Sequence, residues 1–284
     1  MAILILFKII SFIFLAIAMV STEIPARAAD RPILVIYYMN DVRGYALSGQ
    51  AFASALRGEL VARMLSMMKY DAIAAGDHDF DFGWERLLSL RDTHELGFIS
   101  ANVRERDGNR PIMLSYVTRN FPNLKIGILG LSTPSTPTVT DPRNVAALSF
   151  GDPDETINIA RETVRRLREQ DGADLVIALT HLGSEPDCDP SSLTLAREVP
   201  DIDLIVDGHS HSELDGGIKA GNTMIVSAGA YLTHLGRVDV FASPGGGYEF
   251  KARLMPASES ENVTPKPELS SALEILKNEL DALE

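Results

Sequence analysis

The chain has 284 residues, of which 45% are hydrophobic, and a formal net charge of −13. This size and apolar content suffice for one large α/β domain or two small ones. The strong negative charge gives no electrostatic basis for binding nucleic acid, whereas it suits the binding of a divalent cation. Cys188 is the only cysteine, so an intrachain disulfide is excluded and the fold must rely on its hydrophobic core.

The chain opens with an apolar segment that predicts export. Residues Ile9 to Val20 are almost continuously apolar, Lys8 precedes them, and Ala26-Arg27-Ala28 supplies a small-x-small cleavage site. This pattern is typical of a secretory signal peptide, here residues 1–28, although an uncleaved N-terminal anchor is the alternative. The apolar run is short for a membrane span, so we expect a periplasmic or secreted protein without stable membrane insertion after cleavage.

Strands and helices alternate along the rest of the chain. Continuous β-branched and aromatic runs predict strands, and apolar residues every three or four positions predict helices. The predicted strands are 32–39, 70–75, 96–101, 125–132, 174–179, 203–206, 224–227 and 238–241, and the helices are 58–69, 84–90, 152–170 and 191–199. Such alternation implies a layered α/β domain, which we place at residues 30–256. Leucines at heptad spacing predict a further helix within 257–284.

Polar motifs follow three of these strands. They are Gly76 to Gly83 (Gly-Asp-His-Asp-Phe-Asp-Phe-Gly), Thr180 to Gly183 (Thr-His-Leu-Gly) and Gly208 to His211 (Gly-His-Ser-His). A polar turn with one helix-capping Asp would explain the first motif alone, but the carboxyl ends of strands in open α/β sheets are where ligands bind. Divalent metals that activate water take oxygen and imidazole ligands. The candidate metal ligands are Asp41, Asp77, His181, His209 and His211.

His78 is the candidate proton donor. It stands between Asp77 and Asp79, and Asp81 follows three residues later. A neighbouring carboxylate raises the pKa of a histidine and fixes its tautomer. A protonated His78 beside a metal ion could then donate to a leaving-group oxygen. Asp81 is the expected orienting partner, with Asp79 as the alternative.

At these residues the chain resembles the calcineurin-like metallophosphoesterases. Specifically, it resembles the catalytic domain of the bacterial exported 5′-nucleotidase / 2′,3′-cyclic-nucleotide phosphodiesterase family, from about Ile33 to Phe241. Gly76 to Asp81 stands where that family has Gly-Asn-His-Glu-Phe-Asp, and three further segments match. These are Ser100-Ala101-Asn102-Val103, Asp174 to Gly183 and Asp203 to Ser212. The resemblance implies a layered β-sandwich flanked by helices, and metal-dependent hydrolysis of a small phosphorylated substrate of nucleotide type.

The resemblance also assigns roles by position. It implies one or two divalent ions (Mn, Zn, Fe, Co or Mg), with Asp77, His181 and His209 on one and Asp41 and His211 on the other. His78, paired with Asp81, would be the transition-state acid. Asn102 and Arg43 are the expected substrate-binding residues.

Three departures from the family pattern bear on the chemistry. Arg43 stands where the opening motif has a histidine, and arginine does not ligate metals because it stays protonated. The family's next strand, whose final Asp bridges two metals, has no counterpart; Tyr45, or Gln50 in a second alignment, takes that position. By the same comparison we expect no counterpart of the family's substrate-recognition domain in these 284 residues, and residues 257–284 resemble its connecting helix. We therefore expect a fold that lacks one N-terminal strand.

These departures lead to three expectations about activity. In the first, one metal remains and the charge of Arg43 lies near the vacated second position, where it would contact a phosphate oxygen. In the second, the chain is a degenerate, non-catalytic member that binds metal, phosphate or a partner. In the third, it hydrolyses another anion, such as a thiosulfonate. Fold alone does not choose among them.

Overall fold

The computed structural model describes residues 15–21, 31–41 and 57–262, with scattered positions between 264 and 278. The strands are β1 (Leu15–Ser21), β2 (Leu34–Met39), β3 (Ala72–Ala74), β4 (Phe98–Ile99), β5 (Arg104–Glu105), β6 (Tyr116–Phe121), β7 (Leu124–Ser132), β8 (Leu148–Ser149), β9 (Leu175–His181), β10 (Leu204–Asp207), β11 (Ile218–Ala220), β12 (Thr223–Val226), β13 (His234–Ala242) and β14 (Tyr248–Pro256). The α-helices are α1 (Glu59–Met68), α2 (Trp84–Thr93), α3 (Thr136–Val139), α4 (Pro153–Glu169) and α5 (Ser192–Glu198). Short 3₁₀ turns cover Asp77–Phe80, Pro142–Val145 and Ala257–Asn262.

Two six-stranded sheets carry the fold. The first has the order β14-β13-β2-β1-β3-β4, and the second has the order β11-β12-β10-β9-β7-β6. In the second sheet β12, β10, β9 and β7 run parallel, while β11 and β6 close the two edges antiparallel. The parallel strands therefore end at one edge of this sheet, which is where their polar motifs begin.

The two sheets pack face to face and helices cover both outer faces. Along β9, Leu175, Ile177 and Leu179 belong to the core between the sheets, whereas Val176 and Ala178 pack outward with α4 and α5. This alternation follows from the two-residue period of a strand that is buried on both faces. Helices α1 and α2 cover the other face of the first sheet. The layered β-sandwich flanked by helices that the sequence predicts is confirmed.

Charged, half-exposed strands account for most differences from the predicted elements. The sequence does not predict β6, β11 or β14, the last of which follows a turn at Ser243 to Gly247. In β14, partly buried and exposed residues alternate, and Glu249, Lys251 and Arg253 all fall on exposed positions. An edge strand needs only one buried face, so it lacks the continuous apolar run that marks a central strand.

The N-terminal region differs from the expectation in one respect. Leu15–Ser21, within the predicted signal peptide, forms β1 and lies between β2 and β3, antiparallel to both. Residues 1–14 and 22–30, with the predicted cleavage site, lie outside the described residues, and so do the leucines that predict the terminal helix, which are Leu269, Leu273, Leu276 and Leu280. Within the described part of the chain, no helix combines the length and apolar content that crossing a membrane requires.

Candidate metal centre

The candidate ligands come from both sheets. Asp41 lies just after β2 and Asp77 lies three residues after β3, in the first sheet. In the second sheet His181 ends β9, and His209 and His211 follow β10. Because the two sheets pack face to face, the ends of these four strands meet at one edge of the sandwich. The sequence predicts this meeting, and the structure brings all five residues together.

Asp77, His181 and His209 form the tightest group. Their ligand atoms all lie within 4.8 Å of one another. Asp77 Oδ1 lies 3.2 Å from His181 Nε2, and Asp77 Oδ2 lies 3.0 Å from His209 Nδ1. Asp77 Oδ2 and His209 Nδ1 are in contact with each other but are not aligned as a hydrogen bond, and both atoms are buried. Buried polar atoms without hydrogen bonds are costly unless another partner binds them, so this donor set fits a divalent cation.

The charges in this group also favour a cation. Burial raises the pKa of Asp77, but the charge and hydrogen bond of His181, with His209 and His78 close by, outweigh it and hold the pKa well below its usual range. Burial lowers the pKa of His181, yet the carboxylates of Asp77 and Asp41 raise it to about 9. The carboxylates of Asp77 and Asp41 therefore stabilise positive charge in this group. Protons supply that charge in the absence of metal, and a bound metal ion would displace them.

Asp41 and His211 offer a weaker second set. His211 Nε2 lies 3.9 Å from Asp41 Oδ1, and His181 Nδ1 lies 3.8 Å from the same oxygen. Both carboxylate oxygens of Asp41 also accept from the backbone N–H of His209, at 3.1 and 2.9 Å. Among the residues that the structure describes, no third ligand completes this pair into a group as compact as the first.

The backbone of this region is unusual. Asp41, His209 and His211 have positive φ angles of 44°, 79° and 56°. Side chains other than glycine rarely adopt this region, and such strain concentrates at functional sites. Two glycines permit close packing: a Cβ on Gly76 would lie 2.9 Å from the His181 ring, and one on Gly208 would lie 2.9 Å from Asp41 Oδ2.

His78 lies beside the metal group with a defined partner. Its Nδ1 lies 2.9 Å from Asp81 Oδ2, and its Nε2 lies 3.8 Å from Asp77 Oδ1. Thr140 donates to the other oxygen of Asp81 at 2.8 Å and fixes that carboxylate. Asp79, the alternative partner, instead accepts from the backbone N–H of Gly76 and closes the turn. The structure therefore selects Asp81 as the orienting residue.

Asn102 requires a correction. It is 1% exposed, and its amide nitrogen donates to the backbone carbonyls of Ser132 and Phe150. Its amide oxygen accepts from the Ser132 N–H and from the Ser100 hydroxyl. An amide engaged in this way has no face left for a substrate, so Asn102 is structural rather than substrate-binding. It joins the ends of β4 and β7, and Ser132 Oγ in turn donates to the carbonyl of Ala75, directly before the Gly76 motif.

Two buried positioning residues escape the sequence analysis. Asp207 accepts from the Thr180 hydroxyl and from the N–H groups of Leu182 and Gly183, which fixes the turn after His181. Asn40 donates to the Asp207 carbonyl and accepts from the Ala228 N–H, which holds the chain beside Asp41. In the sequence, the available sign of these roles is that Asn40 directly precedes Asp41 and that Asp207 lies two residues before His209. Arg43, and Tyr45 and Gln50 as the two alternatives at the position of the bridging Asp, lie outside the described residues.

No family model matches the chain. Individual sequence relatives and solved structures do match it, and they agree with this architecture. The chain is 29% identical over 277 residues to the trifunctional nucleotide phosphoesterase protein YfkN of Bacillus subtilis, an alignment that covers 84% of this chain and 18% of the relative. The crystal structure of a calcineurin-like phosphoesterase YfkN from the same organism superposes with a TM-score of 0.61, at 22% identity, and each chain is covered to 80%.

Two further proteins widen the comparison. The snake venom 5′-nucleotidase of Naja atra is 30% identical over 213 residues, which cover 72% of this chain and 36% of the relative. The sulfate thiohydrolase SoxB of Thermus thermophilus shares the fold with a TM-score of 0.70 at 24% identity, over 79% of this chain and 39% of that one. The chain therefore spans well under half the length of the curated relatives described here.

Proposed function

We propose a function for this chain as a relative of the calcineurin-like phosphoesterases: hydrolysis of a phosphoester, of nucleotide type, by water activated at a divalent metal ion. The observation that carries the proposal is the compact group of Asp77, His181 and His209 with the His78–Asp81 pair beside it. The sequence relatives that act on nucleotides support the choice of substrate class.

Different residues of the chain would bind the metal ion, donate the proton and orient the proton donor. Asp77, His181 and His209 would hold a divalent ion, which would supply Lewis acidity and a nucleophilic water at neutral pH. His78 donates its Nδ1–H to Asp81, so Nε2 is the ring nitrogen that faces the metal group, and in the doubly protonated ring Nε2 carries the proton available for transfer. His78 then donates that proton to the leaving oxygen as the phosphoester bond breaks. Asp81, fixed by Thr140, orients the ring throughout.

The first experiment replaces the proton donor and leaves the metal group intact. The His78→Ala variant should keep its bound metal but lose about 10²- to 10⁴-fold in kcat towards a nucleotide monophosphate and an aryl phosphate with added Mn²⁺. His234→Ala is the matched control, since His234 lies on β13 beside Glu213 and outside the metal group. Unchanged turnover in the His78 variant would contradict the assigned role.

We further propose that a single ion suffices and that Arg43 takes over part of the second ion's charge. Asp41 and His211 alone form an incomplete ligand set in the described structure. A guanidinium binds phosphate oxygens through charge-assisted hydrogen bonds. Metal analysis should therefore find one equivalent per chain. Arg43→Ala should weaken inhibition by inorganic phosphate about 10- to 100-fold, as expected for loss of a hydrogen bond to a charged group.

The control for Arg43 is Arg143→Ala, because the guanidinium of Arg143 is exposed and pairs with Asp141, two residues away. Two bound equivalents of metal, or phosphate inhibition that is unchanged in Arg43→Ala, would contradict the single-ion arrangement. The incomplete second set is also the observation that favours a non-catalytic relative. Metal binding without turnover of any phosphoester would establish that second function.

We propose that the protein acts outside the cytoplasm. The apolar segment from Ile9 to Val20 and the following small-x-small motif support export. The name of the snake venom relative describes a secreted protein and agrees with this placement. Fractionation of cells that produce the full chain tests it, and recovery in the cytoplasmic fraction alone would contradict it.

A further inference from the structure

The first sheet contains a strand that is supplied from an unexpected part of the chain. All six residues of β2 pair with β1, from Leu34 opposite Ser21 to Met39 opposite Ala16. All three residues of β3 pair with the other edge of β1, from Ala72 opposite Ile17 to Ala74 opposite Leu15. β1 is thus the strand through which β2 and β3 are joined within the described sheet.

The position of β1 bears directly on the metal centre. β2 leads into Asp41, and β3 leads into the turn that carries Asp77. Neighbouring strands lie about 4.8 Å apart, so β2 and β3 are held about 9.6 Å apart by the strand between them. Removing β1 would leave two rows of unpaired backbone N–H and C=O groups in the middle of the sheet, where buried unpaired groups are costly.

The composition of the segment suits this position. Both faces of the sheet are covered: Met39 and Ile73 belong to the core under α1 and α2, while Tyr38 and Ala72 belong to the core between the sheets. A strand covered on both faces requires a continuous apolar run. Leu15 to Val20 (Leu-Ala-Ile-Ala-Met-Val) is such a run, without charge, glycine or proline.

We propose that Leu15–Ser21 is a structural strand of the folded domain, and that it occupies the sheet position between the two strands that present Asp41 and Asp77. The proposal concerns the same apolar stretch that predicts export. The two uses follow one another, because an export signal acts on the unfolded chain and a strand forms on folding. Cleavage after Ala28 would sever β1 from β2, so the folded protein retains the segment, either covalently or as a bound peptide.

A cross-linking experiment on the full chain tests the pairing. Ala18 is the backbone register partner of Tyr37, and cysteines introduced at directly opposite positions of an antiparallel pair can form a disulfide. In a Cys188→Ser background, Ala18→Cys with Tyr37→Cys should lose both engineered thiols on mild oxidation. The matched control, Met19→Cys with Tyr37→Cys, shifts one position by one residue and should keep both, because neighbouring residues face opposite sides of a strand. Equal oxidation of the two variants, or none in either, would overturn the proposal.

A second measurement uses the protein recovered after export. Its intact mass should include residues 15–21, or those residues should co-purify as a peptide that denaturant releases. A folded chain that begins at Ala29 or Asp30, carries no bound leader peptide and melts at the same temperature as the full chain would overturn the proposal. Neither readout depends on hydrolysis, so a protein without phosphoesterase activity would still decide whether β1 belongs to the sheet.

Discussion

At the metal centre, some ligand side chains pack so closely against glycines that a larger residue at the glycine position would collide with them. Gly208 shows this most clearly, because a Cβ there would lie 2.9 Å from Asp41 Oδ2 and 3.2 Å from His181 Nδ1. These two atoms belong to different sheets, so the glycine lets a ligand of one sheet approach a ligand of the other. The adjoining His209 N–H donates to the Asp41 carboxylate and completes this close approach.

Gly208→Ala should weaken metal binding about 10- to 100-fold, the usual cost of disturbing the groups that orient metal ligands. The added methyl group must push Asp41 or the His181 ring away from its present position. Calorimetric titration with Mn²⁺ measures the effect. Gly245→Ala is the matched control, because a Cβ at Gly245 meets nothing within 4 Å. Equal metal affinities in the two variants would show that the crowding at Gly208 does not govern the site.

At the scale of elements, the sequence predicts what is buried on two faces and misses what is buried on one. The predicted strand at 125–132 is β7 almost to the residue, since every position but Lys125 is buried. β6 escapes prediction because its residues are mostly half-buried and include Arg119. The sequence predicts a signal peptide over the segment that forms β1 and does not predict a strand there, because a leader and a central strand share the same apolar run; the pairing with β2 and β3 is visible only in the structure.

The residues of the candidate site also fall into two groups, those that the sequence predicts and those that it does not. His181 and His209 are predictable because their motifs follow strands and the ends of parallel strands meet. Asn102 matched a family motif, but a motif does not show that both hydrogens of its amide would be used by backbone carbonyls. The role of Asp207 was not predictable either. It depends on three hydrogen bonds that exist only once β9 and β10 lie side by side.

At the scale of the whole molecule, the metal centre joins the two sheets. Asp77 belongs to the first sheet, whereas His181 and His209 belong to the second. In the absence of metal, ion pairs between these residues hold this edge of the sandwich together. A bound divalent ion would replace those pairs with coordinate bonds from both sheets, so its binding free energy would contribute to the stability of the entire fold.

Removing the metal should therefore lower the melting temperature of the whole domain in one cooperative transition. A ligand that binds only the folded state at 100 times its Kd adds about 2.7 kcal/mol to the free energy of unfolding. For a domain of this size, that corresponds to a rise of about 5 to 11 °C, at about 2 to 4 °C per kcal/mol. Scanning calorimetry with Mn²⁺ and then with EDTA measures the difference.

The matched variants for this experiment are His209→Ala and His94→Ala. The first removes a ligand from the second sheet and should abolish the shift between Mn²⁺ and EDTA. The second removes a histidine that pairs with Glu59 and is not part of the metal group, and should keep the full shift. A shift that survives in His209→Ala would mean that the stabilising ion binds elsewhere. Loss of the shift in that variant alone would show that one ion links the two sheets through Asp77, His181 and His209.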